Sequence, residues 1–448
     1  MITNHHSTSS PSKLAREPAA LATAFTLALL LGSSIGVLPP RAVADAGENP
    51  GRLLQMAERG EVAPLRSALQ TSKDPAASAL MRARLAASQL DIGAVRAALD
   101  DDALAHSKDP AVQAMAAAIA ADAEFAAGDY QGAANAARQW LALPAGSDPI
   151  HDAQGIKALA SIAAPLALAP LQTVLSRNRL RVATSRNTVG LIQAPATING
   201  TSLDAVMDSG ANLSVLSAST ARDLKLRMLQ ESGTIGSWTK DLIAARIGVA
   251  DRVELAGAVL QHVAFLVLDD AQLKLPKGGQ IRAILGFPVF RALGCVVFSA
   301  DGWLDTCAPA GMEQAHNLRL GGSNLFVDVV VNGIESPLRL DTGSTSTTLA
   351  AAFVNAHPSI LDHVTRTISH EGSAGGTVNQ QVGVLDSPVV SIAGNSIKLP
   401  NLDVAISDAS RAQTGEYGTL GQDVLQRFDS YTLDLATMSF RVGVMSKK

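Results

Sequence analysis

Two aspartates stand out for the residues around them. Asp208-Ser209-Gly210-Ala211 and Asp341-Thr342-Gly343-Ser344 each follow an apolar run, Leu203 to Met207 and Leu338 to Leu340, so a strand delivers each acid to a tight polar turn. A carboxylate on such a turn can point into a cleft. Two of them about 3 Å apart cannot both ionise near neutrality, which leaves one as base and the other as acid. Such a pair can activate water. Taken singly, an Asp before Gly is an ordinary turn pair, so the surroundings of the two acids decide the reading.

Those surroundings are duplicated. Nine residues before each acid sits an Asn-Gly turn between apolar strands, Asn199-Gly200 and Asn332-Gly333, the strongest short signal for a hairpin. Downstream, Ile284-Leu285-Gly286 answers Thr419-Leu420-Gly421, and between these anchors Leu255-Ala256-Gly257 answers Ile392-Ala393-Gly394. Two copies of one lobe is the economical reading.

A strand, then D-[TS]-G-[AST], then two apolar residues and Gly further on resembles the aspartic peptidases. Val215-Leu216-Ser217, Ala221-Arg222-Asp223-Leu224 and Leu420-Gly421-Gln422-Asp423-Val424-Leu425 look like the retropepsin-like branch, whereas two lobes on one chain look like the pepsin-type arrangement. The resemblance implies an all-β bilobal acid-protease fold with homologous lobes at 177–310 and 311–448. It makes Asp208 and Asp341 the catalytic pair, with Ser209 and Thr342 bonding across the lobe interface. Gly210 and Gly343 would let the loops approach, and Gly286 and Gly421, with Leu285 and Leu420, would support them from behind. Gly-rich segments, Ser232 to Ser237 and Gly372 to Thr377, fall where the family carries its mobile flaps. Trp238 is then a candidate to cover substrate, although the pepsin-type flap tyrosine has no match. The first lobe has Phe287-Pro288 where the second has Gln422-Asp423, so a changed lobe contact is expected there.

The rest of the chain must position this pair. Residues 1–44 read as a signal peptide: Lys13 and Arg16, an apolar run from Ala19 to Val37, then Ala42-Val43-Ala44 before a cut at Asp45. The alternative is an uncleaved membrane anchor. Either way the body of the protein is expected outside the cytoplasm, periplasmic or secreted. Residues 45–176 are Ala-rich, a helix-forming composition, and Asp74-Pro75, Asp109-Pro110 and Asp148-Pro149 read as N-cap and first-turn pairs. Their spacing, with turns at Gly60, Leu90 and Gly128, suggests an all-α helical repeat similar to tetratricopeptide units of about 34 residues. Its role is open between pro-region, binding domain for a protein partner, and structural appendage. Pro165 to Asn178 reads as the linker.

Cys295 and Cys307 flank an Asp301-Gly302 turn and could bond in an oxidising compartment, a pairing the sequence leaves open. His106, His151, His262, His316, His357, His363 and His370 show no metal-ligand spacing and read as surface or loop residues; no metal or cofactor is expected. With 47% hydrophobic and 17% charged residues and a net charge of −4, the composition is globular and offers nucleic acid no attraction. The leading expectation is an exported aspartic endopeptidase acting on protein or peptide. The alternative is a non-catalytic peptide-binding or scaffold protein using the repeat region and a protease-like cleft.

Overall fold

The structure, a computed structural model, describes residues 24–25, 29–30, 49–237, 240–275, 279–307, 316–373, 376–406 and 415–446. Among the described residues eight helices, from Pro50–Glu58 to Ala153–Leu166, precede the β-rich part. Asp74 and Asp109 cap Pro75–Ser88 and Pro110–Ala127, each carboxylate accepting from backbone N–H groups of the first turn, with proline beside it. Such a cap is worth about 1 kcal/mol. Leu90 and Gly128 turn the chain with positive φ, and Asp91 and Asp129 cap the helices that follow.

Asp148-Pro149 breaks the pattern. The next helix starts only at Ala153, capped by Asp152, and Asp148 turns inward to accept from Trp140 Nε1, Ile150 N and His151 N. Nor is 165–178 a free linker. Pro165 lies within Ala153–Leu166, and Thr173–Arg177 is already a strand paired with Ala258–Leu268.

The two β sheets beyond it repeat one strand order. The first runs Arg227–Ser237, Lys240–Leu255, Ala258–Leu268, Ser214–Ser217, Ala283–Leu285, Thr201–Met207, Ile192–Ile198. The second runs Val364–Ser373, Gly376–Asp386, Asn401–Ala405, Thr348–Leu349, Gly418–Leu420, Ile334–Leu340, Asn324–Val331. Both Asn-Gly pairs make two-residue hairpin turns with positive φ at each residue, as do Ala256-Gly257 and Ala393-Gly394.

One difference has a chemical cause. The long strands Lys240–Leu255 and Ala258–Leu268 are single in the first lobe, whereas their second-lobe counterparts break at Pro388 and Pro400 into Val389–Ile392 and Asn395–Lys398. Proline has no N–H for the ladder. The break is tied by Ser387 N donating to Pro400 O and Leu399 N to Pro388 O, both at 3.0 Å.

A third sheet joins the lobes. Cys295–Ser299 pairs antiparallel with Ser430–Asp434, flanked by Trp303–Thr306 and Val182–Ala183 on one side and Ser439–Val442 on the other. Cys295 and Cys307 are disulfide-bonded along its hairpin, with Cα atoms 5.1 Å apart.

The helices pack on both lobes. Ile156, Leu159 and Ile162 share a core with Ala245, Ile247 and Leu266 of the first, and a Cβ on Gly233 would lie 2.2 Å from Ile162 Cδ1. Towards the second lobe, Tyr417 donates its hydroxyl to Glu61 at 3.0 Å and carries the Arg59 guanidinium over its ring. Among the described residues no helix is long and apolar enough to cross a membrane. The expected cut site at 42–45 lies outside the described residues.

Candidate active site

Each acid is fixed by the same local device. Asp208 N donates to Leu285 O and Asp341 N to Leu420 O, both at 3.1 Å. The strands ending at Leu285 and Leu420 run parallel to the acid's own strand and antiparallel to the strand that follows the acid loop. Gly286 and Gly421 sit where no side chain fits: a Cβ would lie 2.5 Å from Ala211 O in one case and 2.6 Å from the Ser346 backbone in the other. Their N–H groups donate to Ser214 Oγ at 3.1 Å and Thr347 Oγ1 at 3.0 Å. These two hydroxyls occupy matching places six residues after each acid, a correspondence that is legible in the sequence.

The two loops are then locked to each other. Ser209 N donates to Thr342 Oγ1 at 2.9 Å and Thr342 N to Ser209 Oγ at 3.1 Å, while each hydroxyl donates to a carbonyl of the opposite lobe, Ser209 Oγ to Leu340 O and Thr342 Oγ1 to Met207 O. Four reciprocal bonds through buried groups fix both acids in one frame. Gly210 N and Gly343 N donate to Oδ1 of Asp208 and Asp341 at 2.9 and 2.8 Å, which orients each carboxyl. Each carboxyl also lies over the other loop's glycine: a Cβ on Gly343 would lie 2.3 Å from Asp208 Cγ, and one on Gly210 2.6 Å from Asp341 Cγ. Only glycine permits that approach.

Both acids are completely buried in the protein. Burial first, and then the charge of Asp341, push the Asp208 carboxyl well above the usual carboxylate range. Arg339, two residues before Asp341 and as deeply buried, reaches Asp341 Oδ2 with Nη2 at 3.1 Å and Thr419 Oγ1 at 3.3 Å. Its Nε lies 3.7 Å from Glu416 Oε2, and Glu416 Oε1 accepts from Asn324 Nδ2. Burial raises the Glu416 carboxyl too. A proton-sharing pair of acids held in a low-dielectric, cross-braced frame can deprotonate one group and protonate another in the same step.

The two Gly-rich segments end the hairpins Arg227–Ser237/Lys240–Leu255 and Val364–Ser373/Gly376–Asp386; Trp238 lies outside the described residues. Two short stretches from the start of the chain pair with these hairpins, Ala24–Phe25 parallel to Glu371 and Gly372, and Leu29–Leu30 antiparallel to Ser237 and Gly236. At the expected changed contact, Gln422 Nε2 donates to Thr342 O and Tyr431 Oη, and Arg186 of the first lobe reaches Gln422 Oε1 at 3.4 Å. Phe287 is instead buried in the core.

Of the histidines read as surface or loop residues, His151 stands in the loop before Ala153–Leu166, but its ring is buried, with Nε2 3.1 Å from Glu58 Oε1 and Nδ1 2.9 Å from Asp148 Oδ2. With Glu58 and Asp122 it forms the one group among the described residues whose ligand atoms all lie within 4.8 Å. Arg84, however, lies on both carboxylates, at 3.4 and 3.8 Å, and already serves as their counter-charge.

Residues 194–289 match the family model described as aspartyl protease, a stretch holding Asp208 and Gly286 and lying wholly within the first lobe. Among solved structures the chain is similar to a retropepsin-like aspartic protease from Rickettsia conorii, at 16% identity over 30% of this chain and 91% of that one, with a TM-score of 0.20. No curated protein matches.

Proposed function

We propose that this chain is an exported aspartic endopeptidase whose single active site is assembled from both lobes. The observation that carries the reading is the reciprocal bonding of Ser209 and Thr342, which brings Asp208 and Asp341 face to face across the lobe interface. Water held by the pair attacks a peptide carbonyl, one acid taking its proton while the other protonates the carbonyl oxygen. No covalent intermediate is required. The Cys295–Cys307 bond supports export, since such bonds persist in oxidising compartments.

The helical region shares its core with the first lobe and its Arg59-Gly60-Glu61 turn with the second, which favours a permanent part of the enzyme over a removable pro-region. The test is a peptide library incubated with the full chain from acidic to neutral pH, with cut sites read by mass spectrometry. Internal cuts are expected. Binding of library peptides without cleavage at any pH would establish the scaffold alternative instead.

A further inference from the structure

The duplicated lobes differ sharply in one place, directly behind the acids. In the first lobe Val206, two residues before Asp208, pairs with Ile284, and both lie with Ile281 in one buried apolar cluster. At the corresponding positions of the second lobe stand Arg339, Thr419 and Glu416, equally buried and joined to one another. A guanidinium therefore touches one carboxyl of the pair, and the matching position beside the other acid holds a hydrocarbon side chain. Among the described residues no donor other than the facing Asp341 carboxyl is available to the buried Oδ2 of Asp208, whereas Oδ2 of Asp341 accepts from Arg339.

We propose that Arg339 decides which aspartate carries the proton: Asp341 is held as the anion and general base, and Asp208 as the protonated acid. This rests on the proteolytic reading above and deepens it. A cation in hydrogen-bond contact favours the ionised form of a carboxyl, and an apolar backing favours the neutral form, so the asymmetry of the backing becomes an asymmetry of roles. Asp341 removes a proton from water as the water oxygen bonds to the carbonyl carbon, and Asp208 gives its proton to the carbonyl oxygen. On collapse the new hydroxyl returns a proton to Asp208 and Asp341 delivers its proton to the leaving nitrogen. The C–N bond breaks and both acids are back in their starting state.

Glu416 completes the balance. Among the charged groups that act on the pair, Arg339 also draws on Asp208, and Glu416 and Asp341 repel each other directly. With one proton on the pair and one on Glu416, the buried cluster is neutral overall. Once Glu416 ionises it offsets the guanidinium, and the support given to the Asp341 anion weakens. Arg339 is thus a positioning residue for a proton, with Glu416 as its modulator.

The pH dependence of kcat/KM separates this from a purely structural role. Arg339→Met should move the acidic limb up by about 1 to 3 pH units, and Arg339→Lys, which keeps the charge, should bring it part of the way back. Glu416→Gln should move the alkaline limb down, because one fewer negative charge eases loss of the second proton. Rates that fall equally at every pH, with both limbs in place, would overturn the proposal, and the Lys and Gln variants decide it if the Met variant does not fold. If the unchanged chain cleaves nothing, the proteolytic reading fails, but the proton can still be located. Infrared difference spectra of the full chain should lose a protonated-carboxyl carbonyl band in Asp208→Asn and keep it in Asp341→Asn. The reverse pattern would place the proton on Asp341 and overturn the assignment.

Discussion

Thr342→Val preserves the shape of the second acid loop and removes one hydroxyl. That oxygen accepts from Ser209 N at 2.9 Å and donates to Met207 O at 2.8 Å, both across the lobe interface, and the groups are buried beyond the reach of solvent. A buried polar group left without a partner costs about 1–3 kcal/mol, so the two orphans together cost about 2–6 kcal/mol, against the roughly 5–15 kcal/mol that stabilises a typical domain. Thr342→Ser keeps both bonds and loses one methyl, about 1 kcal/mol. A chain with several packed units need not unfold in one step, so the loss is best read locally, by hydrogen exchange on peptides covering the two acid loops. At about 1.4 kcal/mol per tenfold, the Val variant should exchange there at least about 30-fold faster than the unchanged chain, and well beyond the Ser variant. Adding Ser209→Ala should cost less than the sum of the separate changes, because the four bonds act as a unit. If the Val and Ser variants exchanged alike, the hydroxyl lock would not be what holds the acids together.

Gly343→Ala should abolish cleavage while the helical region stays folded, since the new methyl would lie 2.3 Å from Asp208 Cγ; circular dichroism beside a cleavage assay checks both halves. The helical region should also have its own pH optimum for stability. Although burial opposes it, Glu58 and Asp148 hold His151 well above its ordinary 6.5, so that stabilisation is complete below about pH 6.5 and fades as pH rises through the raised folded value. Against the same burial, His151 holds Glu58 and Asp148 below their ordinary 4.5 and 3.8, a contribution present above those values and lost as pH falls through the lowered ones. Asp122, pushed up to about 6 by burial, contributes stability that is present below its ordinary 3.8 and lost as pH rises through about 6. Melting of the helices should therefore peak near about pH 4 to 4.5 and decline above it, and His151→Gln should flatten the peak; a maximum at about pH 8 in the unchanged chain would contradict the network.

The sequence showed the acids, their turns and the glycines behind them because each is a short local pattern and each occurs twice. Asn199-Gly200 and Asn332-Gly333 make the same left-handed turn from the same two letters. Arg339 was visible as a lone charge between Leu338 and Leu340, but periodicity cannot say whether such a residue on a strand faces water or its own lobe's acid. Its partner Glu416 lies far along the chain, and only the parallel pairing of Arg339 with Thr419 brings them together. Asp148-Pro149 misled for a related reason. The dipeptide fits a helix start, yet Trp140, His151 and Glu58 offered a buried partner network that no local pattern records. The prolines at 388 and 400 could have been read as strand breaks, since a missing N–H is a property of the residue alone.

The central claim is that one carboxyl from each lobe serves a single reaction. The measurement that bears on it most directly is cleavage of a defined peptide by the full chain and by Asp208→Asn and Asp341→Asn made separately, with folding checked by the melting of each. Each change removes half of the proton pair, so each alone should reduce cleavage to the level of the blank while the melting profile of the helices is unchanged. A variant that folds and still cuts at a rate near that of the unchanged chain would show that its aspartate is not part of the chemistry.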